Sequence, residues 1–120
     1  KGRFYMNLRE KILNKNDIKR EKVFIAEWEV EVEVKSMTAG ERSKLLKTAS
    51  DDKGNMNFEK LYTDIIIMTV YDPETHEKVF TEADRDIINT KNSACIEQLS
   101  KVALELSGLS GTATAKIEGN

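Results

Sequence analysis

Across residues 23–35 the chain reads VFIAEWEVEVEVK, with apolar and acidic side chains alternating at a period of two. Successive side chains of a strand point to opposite faces, so the pattern predicts one long β-strand. Phe24, Ala26, Trp28, Val30, Val32 and Val34 then share one face, and Glu27, Glu29, Glu31 and Glu33 share the other. No Gly, Pro, Asn or Asp interrupts the run, so no hairpin turn is expected inside it. A strand alone leaves its backbone groups unpaired. The candidate partners within the chain are residues 78–80, the residues before Val23, and residues 65–70 if extended, and all are shorter. The pattern therefore predicts a partner from another chain, through self-pairing or addition to a foreign sheet edge.

Elsewhere the periodicity is helical. Leu8, Ile12 and Leu13 fall on one side of a short helix, with Asn7 and Glu10 in capping-box spacing. Residues 14–22 read as a polar loop. Thr38 and Glu41 repeat the capping-box spacing before a helix marked by Leu45, Leu46 and Ala49. In NFEKLYTDIIIMTVYDP, residues 65–71 have strand propensity, but Phe58, Leu61, Tyr62, Ile65, Ile66 and Thr69 recur at helical spacing. A helix is expected there, ending before Pro73, the one proline. A turn and a short extended piece then carry Val79 and Phe80 to the core. Thr81 and Asp84 open a short helix in TEADRDII. The last helix, SACIEQLSKVALELSG, has a stripe of Ile96, Leu99, Val102, Ala103 and Leu106, with Gly108 as its stop and Leu109 folding back. The expected fold class is α+β: a mostly helical single domain with one long strand, about residues 23–35, and four to five helices. Residues 1–22 form an N-terminal extension, residues 23–110 the domain, and residues 111–120 a flexible tail. MNLREKILNK reads as a natural start, which makes residues 1–5 an upstream remnant.

Composition narrows the function. The chain has 120 residues, 33% of them charged, with 19 Lys and Arg against 21 Asp and Glu. The resulting net charge of −2 argues against a nucleic-acid partner, which a basic excess would announce. No apolar run reaches the roughly 20 residues that span a bilayer, and no signal peptide is evident. Cys95 is the single cysteine, so no internal disulfide can form, and a cytosolic setting is expected.

Candidate chemistry is sparse. His76 is the sole histidine and falls in an expected exposed turn. Cys95, near a helix start, is either a low-pKa thiol or a small core residue. No third group orients a Cys95–His76 pair. No phosphate-binding glycine loop and no zinc-ligand spacing occur, so neither cofactor nor metal is expected. Trp28 reads as core or interface. Same-face glutamates about 7 Å apart repel by roughly 0.6 kcal/mol in water. The acidic row is a solvated outer face or a docking strip for a basic partner; a flat row does not converge on a metal.

SMTAGERSKLLKTAS, NFEKLYTDIIIMTVYDPETHEKVFTEAD and ACIEQLSKVALELSGLS resemble the tail assembly chaperones of long-tailed bacteriophages, especially the type found in phages and prophages of Gram-positive hosts. The resemblance spans roughly residues 24–110. It rests on an acidic β-segment, a T-x-x-E-R helix start, a long helix leading into YDPETHEKVFT, and a closing helix that ends in LSGLS. It implies a non-enzymatic protein of the host bacterial cytoplasm, absent from the mature virion. Such a protein binds the tape-measure protein, keeps it soluble and helps recruit tail-tube subunits. The family also implies a longer frameshifted product in many phages. A chaperone of this kind needs apolar surface that is released later. The candidate partner and self-association residues are Phe24, Trp28, Val30, Val32, Val34, Ile65, Ile66, Met68, Leu99 and Leu106; for most of the helical ones the intramolecular core is the expected place. The expected assembly is a homo-oligomer. The alternative is a regulatory or adaptor module that adds its strand to another protein's sheet.

Overall fold

A computed structural model describes residues 7–109, and the expectations for residues 1–6 and for the tail beyond Leu109 lie outside them. Residues 23–35 do not form one strand. They fold into an antiparallel hairpin of β1 (Arg20–Ile25) and β2 (Val30–Lys35), joined by residues 26–29. The amide of Trp28 donates to the Ile25 carbonyl at 3.1 Å, and that of Glu29 to the Ala26 carbonyl at 3.2 Å. Glu29 closes the loop in the left-handed region, at φ 55°. Loops of this length are commonly built on a type I turn and need no glycine if one ordinary residue accepts the left-handed conformation. That costs about 1–2 kcal/mol for an L-residue, a cost offset by the packing of the two strands.

The reversal also resets the faces. Ile25 pairs with Val30, Val23 with Val32 and Glu21 with Val34, so odd residues of β1 share a face with even residues of β2. Val23 and Ile25 therefore point into the core, and Phe24, expected on the apolar face, is 60% exposed on the opposite one beside Glu31. Lys22 faces Glu33 there, so the acidic side of β2 is partly matched by its own hairpin partner. Beyond β2 lies β3 (Val70–Tyr71), where Glu33 pairs with Tyr71 and Val34 with Val70, giving the order β1-β2-β3. β2 is thus central, paired with β1 along its whole length and with β3 at Glu33 and Val34. The strand partner expected from another chain is supplied along the length of β2 by β1 of the same chain.

Five α-helices accompany this sheet among the described residues: α1 (Leu8–Leu13), α2 (Ala39–Ala49), α3 (Phe58–Thr69), α4 (Arg85–Ile88) and α5 (Ser93–Leu106), with a 3-10 turn at Glu82–Asp84. The result is one α+β domain, as expected. α5 packs on β1, β2 and α3, and α2 packs on the far side of α3. α3 is enclosed on several sides: Leu61, Thr63, Asp64, Ile65, Ile66 and Thr69 are all buried. Its helical periodicity prevails over its β-branched composition because a helix lets those side chains meet α2 and α5 together. The buried line of α5 runs through Cys95, Leu99, Ser100, Ala103 and Leu104, leaving Ile96, Val102 and Leu106 at its margin.

The helix ends follow local chemistry. Thr38 Oγ1 accepts from the Glu41 amide at 3.0 Å, and Glu41 Oε1 accepts from the Thr38 amide at 2.9 Å. At the end of α5, the Gly108 amide donates to the Glu105 carbonyl at 3.1 Å and the Leu109 amide to the Leu104 carbonyl at 2.7 Å. Gly108 sits at φ +84°, which a side chain would strain, and Leu109 is folded back into the core. Val79, expected in the core, is exposed, whereas Phe80 packs against it.

The loop makes a direct test available. Glu29→Gly is expected to preserve or raise stability by up to about 1 kcal/mol, and Glu29→Val to lower it by about 1–2 kcal/mol. Equal urea midpoints for the two variants would rule out a left-handed residue at this corner.

Candidate functional site

An open groove of about 320 Å³ lies where the hairpin turn meets the segment after β3. Its walls are Trp28, Val79, Phe80, Ile87 and Ile88, with Asp84 and Lys91 at its edge. Three local structures build it. The turn at residues 26–29 carries Trp28 half-buried at the end of the sheet. Asp72 organises the second: its Oδ1 accepts from the Glu74 amide at 2.7 Å, while its carbonyl accepts from the His76 amide at 2.8 Å. The chain reverses there with His76 at φ 64°, and the Val79 amide donates to the Val70 carbonyl at 3.1 Å. Val79 and Phe80 are thereby held along β3. The third is the 3-10 turn and α4. Asp84 Oδ2 accepts from the Thr81 amide at 2.8 Å, and the helix presents Ile88 inward and Ile87 outward.

α4 is too short to hold itself, and an ionic clamp fixes it. Arg85 forms ion pairs with Asp64 of α3 and with Glu82. Asp64 is buried and also takes the Lys60 ammonium at 3.5 Å and the Thr48 hydroxyl at 3.2 Å. A buried carboxylate is tolerated only when paired and hydrogen-bonded, and this one joins α2, α3 and α4. The bond to Arg85 holds the Glu82 carboxyl below its ordinary range, and the Glu82 bond leads the causes that raise the guanidinium's own pKa.

A second hollow of about 370 Å³ lies beside Ile88, lined among others by Tyr62, Asn89, Ser93 and Ile96. On the outer face of the sheet the Glu33 carboxylate is buried, with Oε1 lacking a hydrogen-bond partner among the described residues. His76 Nδ1 stands 3.9 Å from it, and the Lys35 ammonium lies 4.0 Å from the centre of the Tyr71 ring. Cys95 is buried, and desolvation first, then Glu27, pushes its thiol pKa up. That is the reverse of what a nucleophile needs. Among the described residues no group of three or more His, Cys, Asp or Glu could hold a metal ion, and no helix is long and apolar enough to cross a membrane.

The residues singled out from the sequence divide by burial. Val32, Val34, Ile65, Ile66 and Leu99 lie inside the core, with Ile65, Ile66 and Leu99 fully enclosed. Trp28, Met68 and Leu106 are partly buried at its margin. Phe24 and Val30 reach solvent. Sequence reasoning did not single out Ile87, which is 59% exposed. The available signal was the Ile87–Ile88 pair on a helix of one turn, where adjacent residues cannot both face inward.

With this geometry in place, the chain can be set beside known proteins. No protein-family model and no curated protein sequence matches the chain. Among solved structures, the chain is similar to that of the bacteriophage HK97 tail assembly chaperone. The TM-score is 0.57, over 74% of this chain and 85% of that one, at 15% sequence identity. The two share a fold.

The clamp predicts a stability signature. Arg85→Ala strands Asp64 with Lys60 and Thr48 alone and is expected to cost about 2–3 kcal/mol. Because Glu82 binds its proton more weakly folded than unfolded, its contribution is complete above the unfolded carboxylate pKa and fades as pH falls through the folded one. Urea titrations from neutral to acid pH should show part of this acid slope missing in Arg85→Ala. An unchanged slope and midpoint would refute the clamp.

Proposed function

We propose that this protein is a non-enzymatic tail assembly chaperone of a tailed bacteriophage. In this reading it binds the tape-measure protein and helps recruit tail-tube subunits in the host bacterial cytoplasm, and it is left out of the mature virion. The observation that carries the reading is the fold held in common with the HK97 tail assembly chaperone across most of both chains. The sequence resemblance of residues 24–110 to this family points the same way. The surface is consistent with it: Phe24, Val30, Val79 and Ile87 are large apolar side chains left in solvent on a chain of this size. Apolar surface exposed in this way suits a holder of helical segments that later hands them on. The phage type proposed is that of Gram-positive hosts. A tail-tube gene upstream and a very long helical reading frame downstream would support the tail-assembly role.

Co-expression with the tape-measure protein is expected to give a soluble complex recoverable by affinity purification. Phe24→Lys, at an exposed position opposite Glu31, is expected to reduce recovery severalfold while leaving the thermal midpoint of the free protein within about 2 °C. Tape-measure protein that stays insoluble, or equally soluble with and without this chain, would sink the proposal.

A further inference from the structure

The groove at the hairpin turn and the hollow beside Ile88 meet at α4. Ile88 and Lys91 line both, the first as a buried floor and the second as an exposed side chain at the divide. From there the groove leads to Trp28, Phe80 and Ile87, and the hollow leads to Tyr62 of α3 and Ile96 of α5. The volumes, about 320 Å³ and about 370 Å³, lie at the small end of ligand sites, which run from ~300 to ~1,000 Å³. Each suits an apolar side chain better than a cofactor. We propose that the two form one channel that docks an amphipathic, basic helix of a partner protein, with an apolar anchor in each half. This inference rests on the reading of the protein as a holder of helical segments, and it names the face and the chemistry of the holding.

The walls decide the backbone form of the occupant. The hollow is bounded by α3, by the end of α4 and by the start of α5. Helices pair their backbone groups internally, so these walls offer an arriving segment no strand ladder to join. A segment buried there must satisfy its own amides and carbonyls, which a helix does and an extended chain does not. The floor also favours an apolar anchor over a polar ligand, because the Thr63 hydroxyl is already bonded to Asn89 Oδ1.

Charge decides the sign of the occupant. The groove alone is balanced, with Asp84 against Lys91. The hollow adds Glu59 of α3 and Glu97 of α5. Both are exposed, and neither carboxylate has an ion-pair partner among the described residues. The channel as a whole therefore sets three acids, one each from α3, the 3-10 turn and α5, against a single base. Lysine or arginine beside the apolar anchors meets carboxylates that nothing else engages, and an acidic helix meets repulsion.

Trp28 is the sole tryptophan and stands in the channel, so its emission reports occupancy directly. The probe is a synthetic peptide of about 18 residues, free of tryptophan, with leucine on one helical face and lysine on the other. A second peptide carries glutamate in place of every lysine. The full chain should bind the lysine peptide with a shift in Trp28 emission, about tenfold or more tightly than the glutamate peptide. Ile87→Ser should weaken that binding by about tenfold. Glu59→Gln combined with Glu97→Gln should weaken it by roughly three- to tenfold and narrow the preference between peptides. All three positions are exposed, so thermal midpoints of the variants should stay within about 4 °C of the wild type. Equal affinity for the two peptides overturns the proposal. So does lysine-peptide binding that leaves Trp28 emission unchanged, or that both variants retain in full. A chain that binds neither peptide overturns it too; if that chain still keeps tape-measure protein soluble, the channel is removed and the proposed function stands.

Discussion

The reversal at residues 26–29 is the constraint on which the rest of the molecule depends. It converts an uninterrupted alternating run into two paired strands, and it changes which parity of residue faces inward. Val23 and Ile25 then join Val32 and Val34 as the floor on which α5 lies. Each such aliphatic side chain contributes about 1.5–3 kcal/mol on burial, and together they outweigh the strain of one left-handed Glu29. The same turn places Trp28 at the end of the sheet, where it becomes a wall of the groove.

Placing β2 in the middle of the sheet settles the acidic run differently from a free ribbon. Its backbone groups pair with β1 along its whole length and with β3 at Glu33 and Val34. Of the four glutamates, Glu27 and Glu29 are spent in the turn, while Glu31 and Glu33 face Phe24 and Lys22 across the pair. Repulsion along the row is thereby reduced to a single neighbouring pair. The edge of β1 carries Arg20, Glu21 and Lys22, and its Phe24 carbonyl accepts from Gln98 Nε2 at 3.3 Å. Charged, partly covered edges of this kind resist uncontrolled pairing.

The helical half is organised around α3. Enclosed by α2, α4 and α5, it can carry Asp64 only because Arg85, Lys60 and Thr48 converge on that carboxylate. The same ion pairs anchor the one-turn α4, which would have no stability alone, and so they hold Ile87 outward at the groove. Stability of the core and presentation of apolar surface are therefore coupled through one buried charge.

Local chemistry was legible along the chain wherever neighbours in sequence are neighbours in space. The capping boxes at Asn7–Glu10 and Thr38–Glu41, the helical spacing of α3, the Gly108 stop and the return of Leu109 all follow from residues a few positions apart, and so does the α+β class. The hairpin was not legible, because a four-residue turn built from Ala, Glu, Trp and Glu carries no turn residue. Its left-handed corner is enforced by the burial of Val23, Ile25, Val32 and Val34 against α5, which is distant in sequence. Val79 and Ile87 were misplaced or overlooked for a related reason: which of two apolar neighbours faces solvent depends on how a short segment is clamped, and the clamp is Asp64, more than twenty residues away from Ile87. The sequence by itself determined where helices start and stop and that one core would form. Only the tertiary structure decided which alternating residues point inward and which apolar side chains stay in water, because burial is settled by contacts between segments that no local pattern encodes.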